Sequence, residues 1–121
     1  MIVLDASAIL AFLRAEPGSD TVEQALLDGA ACGAANWSEV AQKSLQSATG
    51  WSAARRLLEA YDLVVEPVTK ADADWAAAFW QTHPTLSLAD RLCLALGNRL
   101  GATVLTADAA WGNADPIRQI R

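Results

Sequence analysis

Four acidic residues stand where a strand is predicted to end or a helix to begin. They are Asp5, Glu39, Asp90 and Asp108. Carboxylates gathered within a few ångströms repel one another, and a hard divalent cation removes that repulsion. Because the ligand atoms are all oxygens, Mg²⁺ or Mn²⁺ is favoured over zinc. The joint pattern therefore predicts one site, for one or two cations, built from four distant parts of the chain.

Each acid taken singly also has a purely structural explanation. The first and the last could cap the helices that follow them. The other two end the patterns Asn36-x-x-Glu39 and Ser87-x-x-Asp90, which have the spacing of a capping box. The capping interpretation stays open for each acid, and only their combination favours a shared site.

Short apolar runs alternate with helical patterns along the chain. The predicted strands are Ile2–Leu4, Ala30–Ala35, Leu63–Val65, Thr103–Thr106 and Ile117–Ile120. The predicted helices are Ser7–Leu13, Asp20–Leu27, a helix from Asn36 or Ser38 to about Ser47, Ser52–Tyr61, Thr69–Gln81 and Ser87–Leu100, with a short helical turn at Asp108–Trp111. Strands separated by helices imply βα units. We expect an α/β fold with a mostly parallel sheet covered by helices, in a single domain of residues 1–121.

The carboxyl ends of parallel strands lie along one edge of a sheet, where ligands bind. Asp5 leaves the first predicted strand, and Asp108 leaves the strand Thr103–Thr106. Glu39 reaches the same edge if Ala30–Ala35 is a strand. No strand directly precedes the helix of Asp90, so its place on this edge is left open.

The composition is that of a globular protein with one hydrophobic core. Of the 121 residues, 53% are hydrophobic and 19% are charged, so neither disorder nor a disulfide scaffold is expected. Cys32 and Cys93 have small or apolar neighbours and are expected to be buried free thiols. The sequence shows no basic leader and no run of about 20 apolar residues, and we expect a cytoplasmic protein without a membrane segment.

A net charge of −5, taken alone, argues against nucleic acid as a partner. Bound cations would reduce the negative charge locally. Phosphate contacts could come from Arg14, Lys43, Arg91 and Arg99, which are otherwise solvated residues of helix surfaces. Arg91 could instead pair with Asp90, although adjacent helix positions point about 100° apart, which favours separate roles.

Other chemistries lack their residues. The single histidine, His83, precedes Pro84 in a predicted loop and is interpreted as a surface residue. There is no phosphate-binding Gly-x-x-x-x-Gly-Lys loop and no Gly-x-Gly-x-x-Gly fingerprint. An acidic Mg²⁺-binding signalling receiver would need adjacent acids and a lysine after the last strand, whereas the only lysines are Lys43 and Lys70. A haloacid-dehalogenase phosphatase would need Asp-x-Asp, and Ser7 occupies the second position.

Two stretches carry a resemblance to a known family. The opening Ile2–Ala8, IVLDASA, resembles the first strand of PIN domains, in which Ser or Thr follows an Asp two places on. Ser87–Leu96 and Gly101–Trp111, SLADRLCLAL and GATVLTADAAW, are similar to the C-terminal half of VapC-type toxins. The resemblance covers nearly the whole chain and is weakest from Gly50 to Pro84.

The resemblance implies a three-layer α/β/α sandwich and an endoribonuclease that needs Mg²⁺ or Mn²⁺, often acting on structured RNA such as tRNA. Asp5 and Asp90 resemble the central metal ligands, Glu39 the second acid, and Asp108 a fourth acid that often acts through water. Residues expected to support the acids by hydrogen bonds are Ser7, Thr106 and Asn36, the last in a segment where many relatives have Ser or Thr. Asp115 is a further candidate acid, although its place before Pro116 favours a turn. The alternative is a catalytically silent binding module with the same fold.

The resemblance also implies a partner, a cognate antitoxin protein that holds the toxin inactive. Four of the five tryptophans, Trp37, Trp51, Trp75 and Trp80, fall in or beside predicted helices. A domain of this size has a limited interior, so some of these rings are expected at the surface, where they would mark the interface. A homodimer is a further expectation.

Overall fold

A computed structural model describes residues 1–46 and 50–121. The strands are β1 (Ile2–Leu4), β2 (Ala30–Gly33), β3 (Val64–Glu66), β4 (Thr103–Thr106) and β5 (Ile117–Gln119). The helices are α1 (Ala6–Leu13), α2 (Ser19–Asp28), α3 (Ala34–Ser44), α4 (Gly50–Ala60), α5 (Lys70–Trp80) and α6 (Leu88–Leu100), and a short 3₁₀ turn covers Ala109–Trp111. Every predicted strand and helix is therefore found, with differences at the ends.

The five strands form one sheet in the order β3-β2-β1-β4-β5, and every neighbouring pair is parallel. This confirms the predicted α/β class. The first strand is central, with β2 on one side and β4 on the other, so the chain reverses its direction of winding at β1. Such a switch point opens a crevice at the carboxyl ends of the strands.

Helices cover both faces of the sheet, which confirms the three-layer sandwich. Alternate residues of a strand point to opposite faces. Leu4 and Leu105 join one buried cluster, which includes side chains from α1 to α4. Val3 and Val104 join the other, in which side chains of α5 and α6 take part. None of the helices in the described ranges is long and apolar enough to cross a membrane.

The start of α3 differs from the prediction. The strand ends at Gly33 and the helix begins at Ala34, so Asn36 lies inside the first turn and Glu39 in the second. The Asn36–Glu39 capping box is therefore wrong, because the side chain of Asn36 turns inward and contacts the main chain of α6. The helix ends at Ser44, and the predicted end at Ser47 falls outside the described residues.

The long helix α6 begins and ends as the sequence predicts. Ser87 and Asp90 form a capping box, in which each side chain accepts a hydrogen bond from the other residue's backbone N–H. Gly101 ends the helix in the left-handed conformation at φ 62°, which costs glycine little. Between these ends, Cys93–Gly97 is continuously buried. The buried helix therefore fixes the position of Asp90 relative to the sheet.

Candidate active site

Asp5 lies at the carboxyl end of the central strand and caps α1. Its side chain is only 3% exposed. One carboxylate oxygen accepts the backbone N–H of Ala8 at 2.7 Å, and the Ser7 hydroxyl lies 2.8 and 2.9 Å from the two oxygens. The Thr106 hydroxyl donates to the second oxygen at 2.5 Å. The capping and site interpretations are thus compatible, because one carboxylate does both.

Two hydroxyls tie the end of β1 to the end of β4. Ser7 Oγ accepts the backbone N–H of Ala107 at 2.9 Å, and Thr106 Oγ1 accepts that of Asp108 at 3.0 Å. Because each hydroxyl also donates to Asp5, each links the buried carboxylate to the segment that follows β4. The expected hydrogen bonds of Ser7 and Thr106 to an acid are present in the structure.

Burial raises the pKa of Asp5 from 3.8 to about 6. Hydrogen bonds from Thr106, Ala8 and Ser7 act in the opposite direction, since they stabilise the charged form. The charge of Asp90 raises the pKa further. The buried carboxylate of Asp5 thus interacts unfavourably with the partly exposed carboxylate of Asp90, and a bound cation would relieve this repulsion.

Asp90 comes to this edge of the sheet through a contact between helices. The Asn36 carboxamide donates to the carbonyl oxygen of Ala89 at 3.3 Å, which holds the start of α6 beside the start of α3. One carboxylate oxygen of Asp90 accepts the backbone N–H of Ser87 at 3.2 Å. Its other oxygen accepts no hydrogen bond from the described residues. Asp90 therefore caps its helix and still has an oxygen free.

Glu39 is the third acid whose charge acts on the buried Cys93 thiol. The pKa of Cys93 is raised mainly by burial, and then by the charges of Asp5, Cys32, Asp90 and Glu39. The carboxylate of Glu39 also forms an ion pair with Lys43, one helical turn further on, at 3.4 Å. As predicted, both cysteines are buried free thiols.

The backbone of Asp108, and not its carboxylate, contacts the residues that hold Asp5. Its N–H donates to Thr106, whereas one carboxylate oxygen accepts the N–H of Ala110 at 2.9 Å and caps the 3₁₀ turn. The side chain is exposed. The other candidate acid, Asp115, precedes Pro116 and lines a separate cavity with Trp111 and Asn98.

The donor chemistry fits a hard divalent cation, because the acids offer only oxygen ligands. Within residues 1–46 and 50–121, however, no three acidic, histidine or cysteine side chains stand together as ready ligands for one ion. The carboxylate of Glu39 is directed to Lys43 and that of Asp108 to its own turn. Asp5 and Asp90 form the fixed part of the candidate site, and the other two would have to leave their present contacts.

The four candidate phosphate contacts have different surroundings. Arg99 forms a two-point ion pair with Asp72, at 3.0 and 3.2 Å, and is not free. Arg91 forms no ion pair with Asp90; its guanidinium donates to the carbonyl oxygens of Ala76 at 2.7 Å and Leu86 at 3.4 Å. Arg14 and Lys43 line a groove between α1, α3 and α4.

Sequence reasoning missed two features of α5 and the residues that it contacts. The Asp72–Arg99 pair joins α5 to α6 across 27 positions of the chain, a distance at which spacing gives no signal. His83, interpreted as a surface residue, is exposed but stacks on Phe79 with ring centroids 3.9 Å apart. The spacing of Trp75, Phe79 and His83, four residues each time, was the available signal.

The tryptophans do not form one patch. Trp37 and Trp51 pack edge to face against the first cluster, and Trp75 stacks on Phe79 in the second. Trp80 is 53% exposed, as expected for some of the rings. The two pairs therefore lie on opposite faces of the sheet, so a small partner on one face would not cover both.

Comparisons with known proteins give one family and one fold. A family profile described as PIN domain matches residues 2–115. A toxin–antitoxin complex from Klebsiella pneumoniae has a TM-score of 0.85 at 14% identity, covering 100% of this chain and 98% of that one. VapC20 from Mycobacterium tuberculosis, described as a sarcin-ricin loop cleaving toxin, has a TM-score of 0.73 at 16% identity, covering 95% of this chain and 98% of that one. FitAcB from Neisseria gonorrhoeae has a TM-score of 0.71 at 20% identity, covering 100% of this chain and 97% of that one. No curated protein sequence matches this chain.

Proposed function

The chain belongs to the PIN-domain family, and from that premise we propose that it is a metal-dependent endoribonuclease, the toxin of a toxin–antitoxin pair. The observation that carries the proposal is the buried carboxylate of Asp5, which is held by Ser7 and Thr106 and whose pKa is raised mainly by burial and further by the charge of Asp90. A structural cap alone does not require a second acid nearby. A cation site does, because the metal compensates the two charges.

Asp5 and Asp90 would hold the cation, with Glu39 and Asp108 completing its surroundings directly or through water. When bound, Mg²⁺ or Mn²⁺ lowers the pKa of water and neutralises charge on a phosphate. In the hydrolysis, the oxygen of a water molecule forms a bond to phosphorus while the bond from phosphorus to the leaving ribose oxygen breaks. One proton of the water leaves to an acceptor such as the carboxylate of Glu39, and the leaving oxygen gains a proton. Ser7 and Thr106 hold Asp5 in place throughout.

The test is RNA cleavage by the purified chain with Mg²⁺, with Mn²⁺ and with a chelator. We expect metal-dependent cleavage that Asp90→Asn abolishes, with the fold retained by circular dichroism. Asp74→Asn is the matched control, since Asp74 is exposed and, within the described residues, forms an ion pair with Lys70 alone. Undiminished cleavage by Asp90→Asn would contradict the assignment. Metal binding without cleavage of any RNA would favour the silent binding module.

For the substrate we propose a structured RNA, with tRNA as the first to test. One structural neighbour is described as a sarcin-ricin loop cleaving toxin. Sequencing the 5′ ends of RNA fragments after brief expression would identify the target. We propose action in the cytoplasm, where such RNA is found.

For the partner we propose a small antitoxin that covers the groove between α1, α3 and α4. This groove has a volume of about 390 Å³, and its apolar lining includes Leu10, Leu13 and Leu57. Leu57 is 43% exposed. Arg14 lies at the groove and forms no ion pair within the described residues. An amphipathic segment that carries a carboxylate would complement both the leucines and this charge.

Co-expression with the product of an adjacent small gene, followed by size-exclusion chromatography, tests the partner. We expect co-elution and loss of RNA cleavage, and weaker binding by Leu57→Asp than by Leu27→Asp. Leu27 is the control because it is also exposed but lies outside the groove. Separate elution at micromolar concentration with cleavage unchanged would contradict the proposal. The same column, run on the chain alone, tests the proposed homodimer.

A further inference from the structure

A second cavity, of about 350 Å³, lies beside α5 and α6 and the segment that joins β4 to β5. The aromatic and large aliphatic side chains of its wall include Trp75, Phe79, His83, Leu86, Leu94 and Trp111. It therefore belongs to the second cluster and is separate from the groove between α1, α3 and α4. Cavities of this size with an aromatic wall and a few polar groups are typical ligand sites.

Three rings of the wall form a continuous parallel stack. The ring centroids of Trp75 and Phe79 are 4.6 Å apart with planes inclined by 15°, and those of Phe79 and His83 are 3.9 Å apart with planes inclined by 2°. The imidazole of His83 is oriented by a 2.8 Å hydrogen bond with the Thr82 hydroxyl. Because His83 ends the stack and is exposed, a further planar ring can add to it.

Polar groups of the cavity suit the edge of a heteroaromatic ring. Asn98 offers an amide donor and acceptor, and Asp115 offers an acceptor. The indole N–H of Trp111 has no hydrogen-bond partner among the described residues, although Trp111 is only 7% exposed. A buried donor of this kind costs stability unless an acceptor reaches it. A purely hydrocarbon ligand would offer none of these three groups a hydrogen-bond partner.

The positively charged side chain of Arg91 contacts residues that border the cavity. The guanidinium of Arg91 is held by two carbonyl oxygens, those of Ala76 and Leu86, and forms no ion pair within the described residues. Leu86 lines the cavity, and Ala76 follows Trp75, which also lines it. The charge of Arg91 is therefore not compensated by an acid and is available to a phosphate.

We propose that this cavity binds a nucleobase, stacked on His83, with the attached phosphate near Arg91. The proposal rests on the proposed function, because Arg91 directly follows Asp90 and Trp111 lies three positions after Asp108. A base in the cavity would then belong to a nucleotide of the bound RNA. A free nucleotide has the same chemistry and is the other source.

The binding test uses 2′-O-methyl oligonucleotides of each base, labelled for fluorescence anisotropy, with the full chain in a chelator. The chelator removes the metal that the proposed cleavage needs, so binding is measured apart from activity. We expect His83→Ala and Phe79→Leu to weaken binding about tenfold, the usual effect of losing one stacked base. Trp80→Ala is the control, since Trp80 follows Phe79 in α5 and does not line the cavity. An abasic nucleotide at the position whose base stacks on His83 should weaken binding to the wild type. The same abasic nucleotide should not weaken binding to His83→Ala any further.

The outcomes distinguish an RNA nucleotide from a free nucleotide as the ligand, and they test the cavity site separately from the proposed nuclease. Equal affinity of His83→Ala and wild type for every oligonucleotide and every free nucleoside 5′-monophosphate would overturn the proposal. Conversion of a dimer to a monomer by His83→Ala, with nucleotide binding unchanged, would overturn it as well and assign the face to a second copy. Binding of monophosphates alone, lost in His83→Ala, supports a nucleobase site for a free nucleotide. Stacking-dependent binding without cleavage of any RNA by the wild type would support the cavity and contradict the proposed nuclease.

Discussion

The carboxamide of Asn36 donates to the carbonyl oxygen of Ala89 at 3.3 Å and so connects the first turn of α3 to the first turn of α6. The side chain is 1% exposed, and its own oxygen has no partner among the described residues. Since Asp90 follows Ala89, this single bond helps to set the position of Asp90 relative to Asp5. It is the contact that the resemblance left open, because many relatives have Ser or Thr in this segment.

Loss of this bond should lower both stability and metal affinity. Asn36→Ala leaves the Ala89 carbonyl without its donor, and we expect a loss of about 1–3 kcal/mol in the free energy of unfolding. It should also weaken Mn²⁺ binding in a calorimetric titration, because Asp90 is less well held. Gln42→Ala, on the exposed side of the same helix, should change neither quantity. Unchanged Mn²⁺ affinity in a destabilised Asn36→Ala protein would show that Asn36 has only a structural role.

Asp5 should make the metal-free protein less stable as the pH rises. Its pKa is 3.8 in the reference state and about 6 in the folded protein, so the folded state holds the proton more tightly. Well below pH 3.8 the carboxyl is protonated in both the folded and the unfolded state, so it does not change the free energy of unfolding. By about pH 6 its ionisation has lowered the free energy of unfolding by roughly 3 kcal/mol. Urea unfolding in a chelator, from pH 4 to pH 7, should show this decline. Asp5→Asn should remove it, and the prediction fails if both proteins show the same slope.

The ion pair between Asp72 and Arg99 should be the most important one for stability in the described residues. Asp72 is buried, caps α5 with Thr69, and binds Arg99 at two points. Burial alone would raise the pKa of Asp72, but the hydrogen bonds from Arg99 and Thr69 outweigh it and lower the pKa. The contribution of Asp72 is therefore present above about pH 4 and is lost on acidification.

We expect Asp72→Ala to cost about 2 kcal/mol at pH 7, through the lost cap and the lost pair. Asp74→Ala, which removes an exposed pair with Lys70 on the same helix, should cost less than about 1 kcal/mol. Thermal unfolding of the two variants at pH 7 and pH 3 provides the comparison. Equal melting temperatures of the two variants at pH 7 would contradict this ranking.

The order of strands and helices could be read from the sequence because local signals agree with the fold. Thr103–Thr106 is found with the predicted ends, and Ser87 and Gly101 bound α6 as their residue types predict. Asp5 and Asp108 could be placed on one edge because each lies within two residues of the end of a parallel strand. These signals are all local, and the parallel pairing of the strands then brings the strand ends together.

Contacts between distant helices could not be predicted in the same way. Nothing near Asn36 in sequence indicates that its side chain turns to Ala89, which is 53 positions away. For the same reason the capping box at Glu39 was wrong, since a tertiary contact outweighed a local one. The direction of the Glu39 carboxylate depends on a competition between Lys43 and a cation, and sequence spacing alone cannot decide it.

That competition leads to a last prediction. Lys43 holds the Glu39 carboxylate at 3.4 Å, with both side chains partly exposed, so the pair contributes about 0.2–1 kcal/mol. If Glu39 turns to a bound cation, this contact is lost on binding and opposes it. Lys43→Gln should therefore bind Mn²⁺ about two- to fivefold more tightly than the wild type, as measured by calorimetry at low salt. Lys70→Gln, which alters an exposed pair on α5, is the charge-matched control and should leave the affinity unchanged. Weaker Mn²⁺ binding by Lys43→Gln than by the control would show that Lys43 supports Glu39 in its metal-binding position instead of competing for it.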